Sequence, residues 1–215
     1  MLRLFYACYY AGMGVSVAFF SRYLHSLGLS GRQISFMLAA APLLNLCGVP
    51  LVWGSIADRT RRPDLVLRLV SLFACVLMVP MIFVRTLPGM LLLYAGYQAF
   101  AVAIMGLIDS IALERVRQGA DYGRIRLWGS FAFALATPLV GQLLDWRGRS
   151  GGDPLVPGLI AGAIGATFLT SLTVRGQATP ERPHASELGT LLRDRRFLFL
   201  LVVAPLLNLC GVPLV

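Results

Sequence analysis

Apolar side chains dominate six segments of the chain, and a further apolar run ends it. A bilayer-spanning helix needs about 20 mostly apolar residues, so each segment predicts a membrane span. The predicted spans are 2–27, 33–57, 65–84, 90–112, 125–144, 155–174 and 197–215. Polar joints rich in turn-forming residues separate the spans, and the joint at 175–196 is the longest. The pattern therefore predicts an all-α, polytopic membrane helix bundle.

Composition supports this class and excludes several others. Hydrophobic residues make up 57% of the chain and charged residues 13%, whereas soluble domains carry about 25% charged residues. All nineteen basic residues are arginines, which excludes a P-loop NTPase or a Schiff-base enzyme because both need a lysine. The sequence has no H-E-x-x-H metal motif, and its four cysteines lie singly in apolar runs. We therefore expect no enzyme activity, metal or cofactor.

The arginines also predict the orientation. With the N-terminus inside, fourteen of the nineteen arginines lie at inner joints or inner span ends. Cations close to span ends are retained on the cytoplasmic side, so this bias predicts a cytoplasmic N-terminus in a plasma or inner membrane. Contact with anionic lipid head groups explains the net charge of +9 without nucleic-acid binding.

Asp109 is the main candidate for transport chemistry because it lies several residues inside the fourth span. An ionisable residue at such a depth is costly and is expected to face a cavity or the bundle interior. At about 100° per residue, Tyr94 and Gln98 fall within the same arc of the helix as Asp109. Arg126 begins a polar stripe on the fifth span at a similar depth, so we expect Asp109 and Arg126 to pair or to share a network. Asp109 would then carry the coupling proton and Arg126 would tune it or attract a substrate carboxylate; a purely structural ion pair is the alternative.

Five further polar or aromatic positions are weaker candidates for the substrate cavity: Tyr6, Tyr10, Asn45, Ser130 and Thr137. Aromatic stripes in membrane helices more often serve packing or interface anchoring than ligand contact. For Asn45 a hydrogen bond between helices is the competing role.

The joint after the second span carries Gly54, Asp58, Arg59 and Arg62. This spacing resembles the signature loop of the major facilitator superfamily, Gly-x-x-x-Asp-Arg-x-Gly-Arg-Arg, in which Asp58 would bond free backbone N–H groups at a helix start and the arginines would hold the loop at the interface. The sequence departs from the signature at Arg61, where the family usually has glycine, so we expect a differently shaped turn.

A second stretch, comprising 106–110 and 122–130, is similar to the phenylpropionate-permease branch of that superfamily, whose relatives are lactose and nucleoside proton symporters. The resemblance implies twelve helices in two six-helix halves around a central cavity. The chain would supply the N-terminal half at 1–174, a central cytoplasmic loop at 175–196 and most of a seventh helix at 197–215. The superfamily's frequent arginine in span four is missing, and the antiporter signature in span five is reduced, which favours symport.

The last twelve residues repeat an internal segment: APLLNLCGVPLV occurs at 41–52 and again at 204–215. We expect a truncated or misjoined sequence after residue 203, with a recent duplication as the alternative. In either case a missing C-terminal half or a second chain would have to complete the cavity.

These observations predict a proton-coupled symporter of a small organic solute, with an aromatic acid implied by the resemblance alone. Its partners would be the solute, protons and the lipid bilayer. A proton-coupled drug or metabolite exporter is one alternative. An inactive or partner-dependent half-transporter is another.

Overall fold

A computed structural model of the chain describes residues 1–146 and 154–174 together with residues 176 and 199. Contacts divide the chain into one unit at Met1–Ala178 and a second at Thr179–Val215, and the first unit is described below. Its helices, in order, are α1 (Leu2–Val15), a π-helical turn (Ser16–Phe20), α2 (Ser21–Ser26), α3 (Gly31–Leu38), α4 (Ala40–Leu46), α5 (Val49–Thr60), α6 (Pro63–Met78), a 3-10 turn (Val79–Ile82), α7 (Leu87–Arg117), α8 (Tyr122–Trp146) and α9 (Leu155–Ser171).

The described residues contain four helices that are long and apolar enough to cross a membrane: Leu2–Ser26, Pro63–Ile82, Leu87–Arg117 and Tyr122–Trp146. The bent pair Gly31–Leu46 and Val49–Thr60 adds a fifth candidate span, and α9 is a shorter apolar helix. The polytopic helical bundle predicted from the sequence is thus confirmed. The predicted seventh span, 197–215, lies outside the described residues except at position 199.

The second span is broken, whereas the apolar pattern at 33–57 predicts one span. Ser30 begins α3 with a capping box, in which its side chain accepts from the Gln33 backbone and the Gln33 side chain accepts from the Ser30 N–H at 2.9 Å. The axis then bends by 46° where Gly48 takes a left-handed φ of 75°, and Pro50 lies in the first turn of α5. Glycine allows that φ without steric cost and proline cannot extend the preceding helix, so the two residues together cause the bend.

The first span packs closely between α8 and α9 because glycines replace side chains at the contacts. A Cβ at Gly12 would lie 2.8 Å from the Ala163 Cβ on α9. A Cβ at Gly14 would lie 3.1 Å from the Phe133 carbonyl oxygen on α8. Small residues let membrane helices approach closely and gain dispersion contacts, which is how helices associate without a hydrophobic driving force in lipid.

One end of the bundle, called the N-terminal end below, collects the start of α1, the end of α7 and the start of α8. Tyr6 on α1 and Tyr122 on α8 both donate a hydrogen bond to Asp109 on α7. At the same end, as the alternating direction of the spans requires, Arg68 near the start of α6 donates to the Val174 carbonyl after α9 at 3.1 Å. Asp109, its two tyrosine partners and the signature loop therefore lie at one end of the bundle.

Candidate functional site

Asp109 is the centre of a hydrogen-bond network at the N-terminal end. Its Oδ1 accepts from the Tyr6 hydroxyl and, at 3.1 Å, from the Tyr122 hydroxyl. The Tyr122 hydroxyl in turn accepts from Nη1 of Arg126 at 2.9 Å. The guanidinium carbon of Arg126 also lies 5.9 Å from the centroid of the Tyr122 ring, within cation–π range. A carboxylate and a guanidinium are thus connected through one tyrosine hydroxyl.

Asp109 and Arg126 share a network rather than forming a direct pair. The ion pairs formed within the described part of the chain do not join these two residues. Tyr122 is the residue that sequence reasoning did not include among the site candidates. Its position one helical turn before Arg126 was the available signal, because side chains four residues apart lie on the same face of a helix.

The hairpin between the fourth and fifth spans explains this arrangement. The α7 helix continues past Asp109 to Arg117, and Gly119, with a left-handed φ of 94°, turns the chain before α8 starts at Tyr122. The joint between the predicted spans 90–112 and 125–144 is therefore shorter in the structure than in the sequence pattern. Since Tyr122 opens α8, its ring lies beside the last turns of α7, where Asp109 is found.

A close contact between α1 and α8 brings Tyr6 to the same place. A Cβ at Gly129 would lie 2.6 Å from Cδ2 of Tyr10, so the Tyr10 ring lies directly on the α8 backbone. The Tyr10 ring also stacks on the Tyr6 ring, with centroids 6.3 Å apart and an interplanar angle of 13°. Tyr6 and Tyr10 therefore form an aromatic wall beside Asp109, and Gly129 sets how closely that wall approaches α8.

The network runs from buried to exposed. Tyr6 is only 1% exposed and Asp109 is half-buried, while Arg126 is exposed. Hydrogen bonds to a charged group are stronger where water is excluded, so the carboxylate is held most firmly on its Tyr6 side. The exposed guanidinium keeps donors that can face a solute.

Tyr94 and Gln98 interact with each other nearer the start of α7, well before Asp109. The Gln98 amide donates to the Tyr94 hydroxyl at 2.8 Å. Tyr94 is 5% exposed and its ring stacks on Phe20 with a centroid distance of 5.2 Å. These contacts place Tyr94 in the packed core and leave its role in a substrate cavity a prediction.

The other predicted cavity residues have local contacts. Ser130 is exposed on α8, and the Thr137 hydroxyl donates to the Phe133 carbonyl of the same helix at 3.4 Å. The exposed Asn45 amide donates to the Ala41 carbonyl at 3.0 Å within α4, and its role in a cavity or between helices stays a prediction. Asn45 can satisfy its donor this way because the carbonyl one turn earlier lies within its reach.

The chain turns sharply at the signature loop. Arg61 ends α5 with a φ of 53°, which is the left-handed conformation that glycine adopts freely. Among the described residues, no side chain caps the start of α6, so the bond expected of the Asp58 side chain is not seen there. The backbone carbonyl of Asp58 instead accepts from the Arg61 N–H at 3.3 Å. Gly54, Arg59 and Arg62 lie within or beside the end of α5, and their roles stay predictions.

Residues able to bind a metal are not grouped in the part of the chain that the structure describes. Within it, no three His, Cys, Asp or Glu side chains are close enough together to hold an ion.

Together, the long apolar helices and the hydrogen-bonded charges among them are typical of a multi-pass membrane protein. The MFS_1 like family matches residues 1–212, so the chain belongs to this family of major facilitator superfamily transporters.

The individual proteins that the chain resembles are also transporters by name. The chain is 36% identical over 155 residues to a maltose permease of Geobacillus stearothermophilus, covering 66% of this chain and 36% of the relative. It is 29% identical over 150 residues to a probable 3-phenylpropionic acid transporter of Escherichia coli K12, covering 68% and 39%. The crystal structure of the nucleoside transporter NupG superposes with a TM-score of 0.74 at 18% identity, covering 96% of this chain and 53% of that one. The chain thus spans about half or less of the length of these relatives.

Proposed function

We propose that the chain supplies the proton-coupling half of a symporter for a small organic solute such as an aromatic acid. The observation that carries the proposal is the Asp109 carboxylate, held by two tyrosine hydroxyls and linked through one of them to Arg126. The relatives named for maltose, 3-phenylpropionic acid and nucleosides support a small polar or aromatic solute.

In the proposed cycle, Asp109 takes up and releases the coupling proton. The ionised carboxylate accepts two strong hydrogen bonds, and one donor is polarised by the Arg126 guanidinium. Protonation removes the charge, weakens both bonds and reduces the attraction on Arg126. Arg126 is then freer to bind a solute carboxylate, with the stacked rings of Tyr6 and Tyr10 as an apolar wall. Proton uptake and solute binding thereby favour each other, as symport requires.

The proposal includes an orientation and a domain organisation. The arginine bias supports a cytoplasmic N-terminus in an inner or plasma membrane. We assign 1–174 to the six-helix half, 175–196 to the central loop and 197–215 to the start of a seventh helix. A C-terminal half, on this polypeptide or on a second chain, would complete the cavity.

The decisive experiment compares Asp109→Asn with Glu114→Gln in proteoliposomes. Glu114 is a matched control because it lies on α7 and its Oε2 bonds to Arg117 at 3.5 Å. With labelled 3-phenylpropionate as the probe, Asp109→Asn is expected to abolish accumulation driven by a proton gradient and to preserve exchange of the solute across the membrane. Accumulation retained in Asp109→Asn would remove Asp109 from the coupling role.

The same vesicles separate the alternatives. An exporter would move the probe against the direction of the imposed proton gradient, so the sign of accumulation distinguishes export from symport. A half-transporter would show no flux in any variant until a second helix bundle is added. Co-purification of a stoichiometric partner would identify that case.

A further inference from the structure

A second polar feature at the N-terminal end lies apart from the Asp109 network. It is an open cleft of about 330 Å³ between the end of α5, the start of α6 and the chain just after α9. Its lining residues are Arg61, Arg62, Asp64, Leu65, Arg68 and Gly176. Three guanidinium groups and one carboxylate give the lining a formal charge of +2.

The close approach of Gly176 to the start of α6 shapes this cleft. A Cβ at Gly176 would lie 2.9 Å from Cγ of Pro63 and 3.2 Å from the Asp64 backbone nitrogen. The chain after α9 therefore lies directly on the first turn of α6. Arg68 fixes the same contact, because its Nη2 donates to the Val174 carbonyl at 3.1 Å and to Oδ2 of Asp64 at 3.2 Å.

The arginines of the cleft keep unused donors. Within the described residues, the buried Nε of Arg68 has no hydrogen-bond partner. Asp64 contributes one carboxylate, and its Oδ2 already accepts from Arg68. Arg61 lines the cleft from a left-handed backbone position, which is unfavourable for any residue with a Cβ. The guanidinium groups of Arg61 and Arg62 are exposed, so their N–H groups can donate to an anion with several acceptor oxygens.

We propose that this cleft binds a phosphate group, supplied either by the head group of an anionic phospholipid or by free inorganic phosphate. The planar guanidinium fork matches phosphate geometry, and basic pockets between helices at membrane ends bind anionic head groups. The cleft shares no residue with the Asp109 network, so the phosphate proposal and the transport proposal are tested independently of each other.

The test titrates the purified chain in non-ionic detergent with two probes, short-chain phosphatidylglycerol and inorganic phosphate at constant ionic strength. Binding is measured as the rise in the thermal unfolding midpoint, since a ligand that binds the folded state stabilises it by mass action. Saturation with phosphatidylglycerol alone identifies a lipid head group. Saturation with inorganic phosphate identifies a free phosphate site. Failure of both probes to saturate would overturn the proposal.

Three variants separate the cleft from general basic attraction. Arg61→Gly removes a cleft guanidinium and also relieves the backbone strain, so the apo protein should fold at least as well while binding weakens about tenfold. Arg62→Gln should weaken binding similarly without that relief. Arg59→Gln is the matched control: Arg59 is an exposed cation of the same loop that does not line the cleft, and its loss should change binding by about twofold or less. Equal weakening by Arg59→Gln and Arg61→Gly would mean diffuse attraction and would refute the site.

Discussion

Gly129→Ala is a sharp test of the contact that positions the tyrosine wall. A Cβ at Gly129 would lie 2.6 Å from Cδ2, 3.0 Å from Cε2 and 3.2 Å from Cγ of the Tyr10 ring. Carbon atoms pack at about 3.5 Å or more, so the ring would have to move by roughly 1 Å. Because the inner ring carbon Cγ is also too close, rotation of the ring alone does not remove the overlap.

The expected free energy combines two opposing effects. Overpacking of a well-packed contact costs about 1–3 kcal/mol. Replacing glycine by alanine within a helix gains about 0.5–1 kcal/mol from backbone entropy. The matched control is Gly106→Ala on α7, where an added Cβ would meet nothing within 4 Å and only the gain applies. The difference between the two variants should therefore be about 1–3 kcal/mol, with Gly129→Ala the less stable.

Thermal unfolding in detergent measures this difference. At about 2–4 °C per kcal/mol for a chain of this size, Gly129→Ala should unfold several degrees below Gly106→Ala. In a Tyr10→Ala background the ring is absent, so Gly129→Ala should become neutral or stabilising. The reasoning fails if Gly129→Ala matches Gly106→Ala in the presence of Tyr10.

Two further substitutions test the second span. Gly48→Ala should destabilise the protein by about 1–2 kcal/mol because Gly48 has a φ of 75°. The control, Gly54→Ala on α5, should be neutral or stabilising because an added Cβ meets nothing within 4 Å. A thermal unfolding midpoint that is unchanged in both variants would contradict the left-handed turn at Gly48. Trp53→Phe removes the 3.0 Å hydrogen bond from Nε1 to the Ala99 carbonyl on α7. The free energy of unfolding, measured with denaturant, should fall by about 1 kcal/mol. An unchanged free energy would show that this bond does not hold the two spans together.

The helical spans could be predicted because burial in lipid imposes a long apolar run on each of them. The broken second span could not be predicted from that pattern, since hydropathy does not register a backbone turn. Gly48 and Pro50 were visible in the sequence, but glycine and proline are frequent within membrane helices and do not by themselves mark a bend. The left-handed turn at Arg61 was missed for a related reason: the fold imposes a conformation that the residue type disfavours.

The residues of the site likewise divide into those that the sequence predicts and those that it does not. Asp109 and Arg126 stand out in the sequence because a charge within a span is rare and costly. Tyr122 does not stand out, since tyrosine at a span end is ordinary interface anchoring. Its bridging role depends on the length of the hairpin between α7 and α8, which the packed bundle sets.

The bridge through Tyr122 suits the proposed proton site, at which the charge of Asp109 would have to change. A direct buried ion pair is costly to separate, because each partner is left as an uncompensated charge. Here Arg126 is exposed and is linked to Asp109 only through a neutral hydroxyl. Asp109 can therefore lose its charge, or Arg126 can move, without leaving the other group as a buried, uncompensated charge. Tyr6 keeps its own bond to Asp109 from the buried side and holds the carboxyl group in position throughout. A carboxyl group with one fixed neutral donor and one donor tied to a movable cation can bind and lose a proton while the helices around it stay packed.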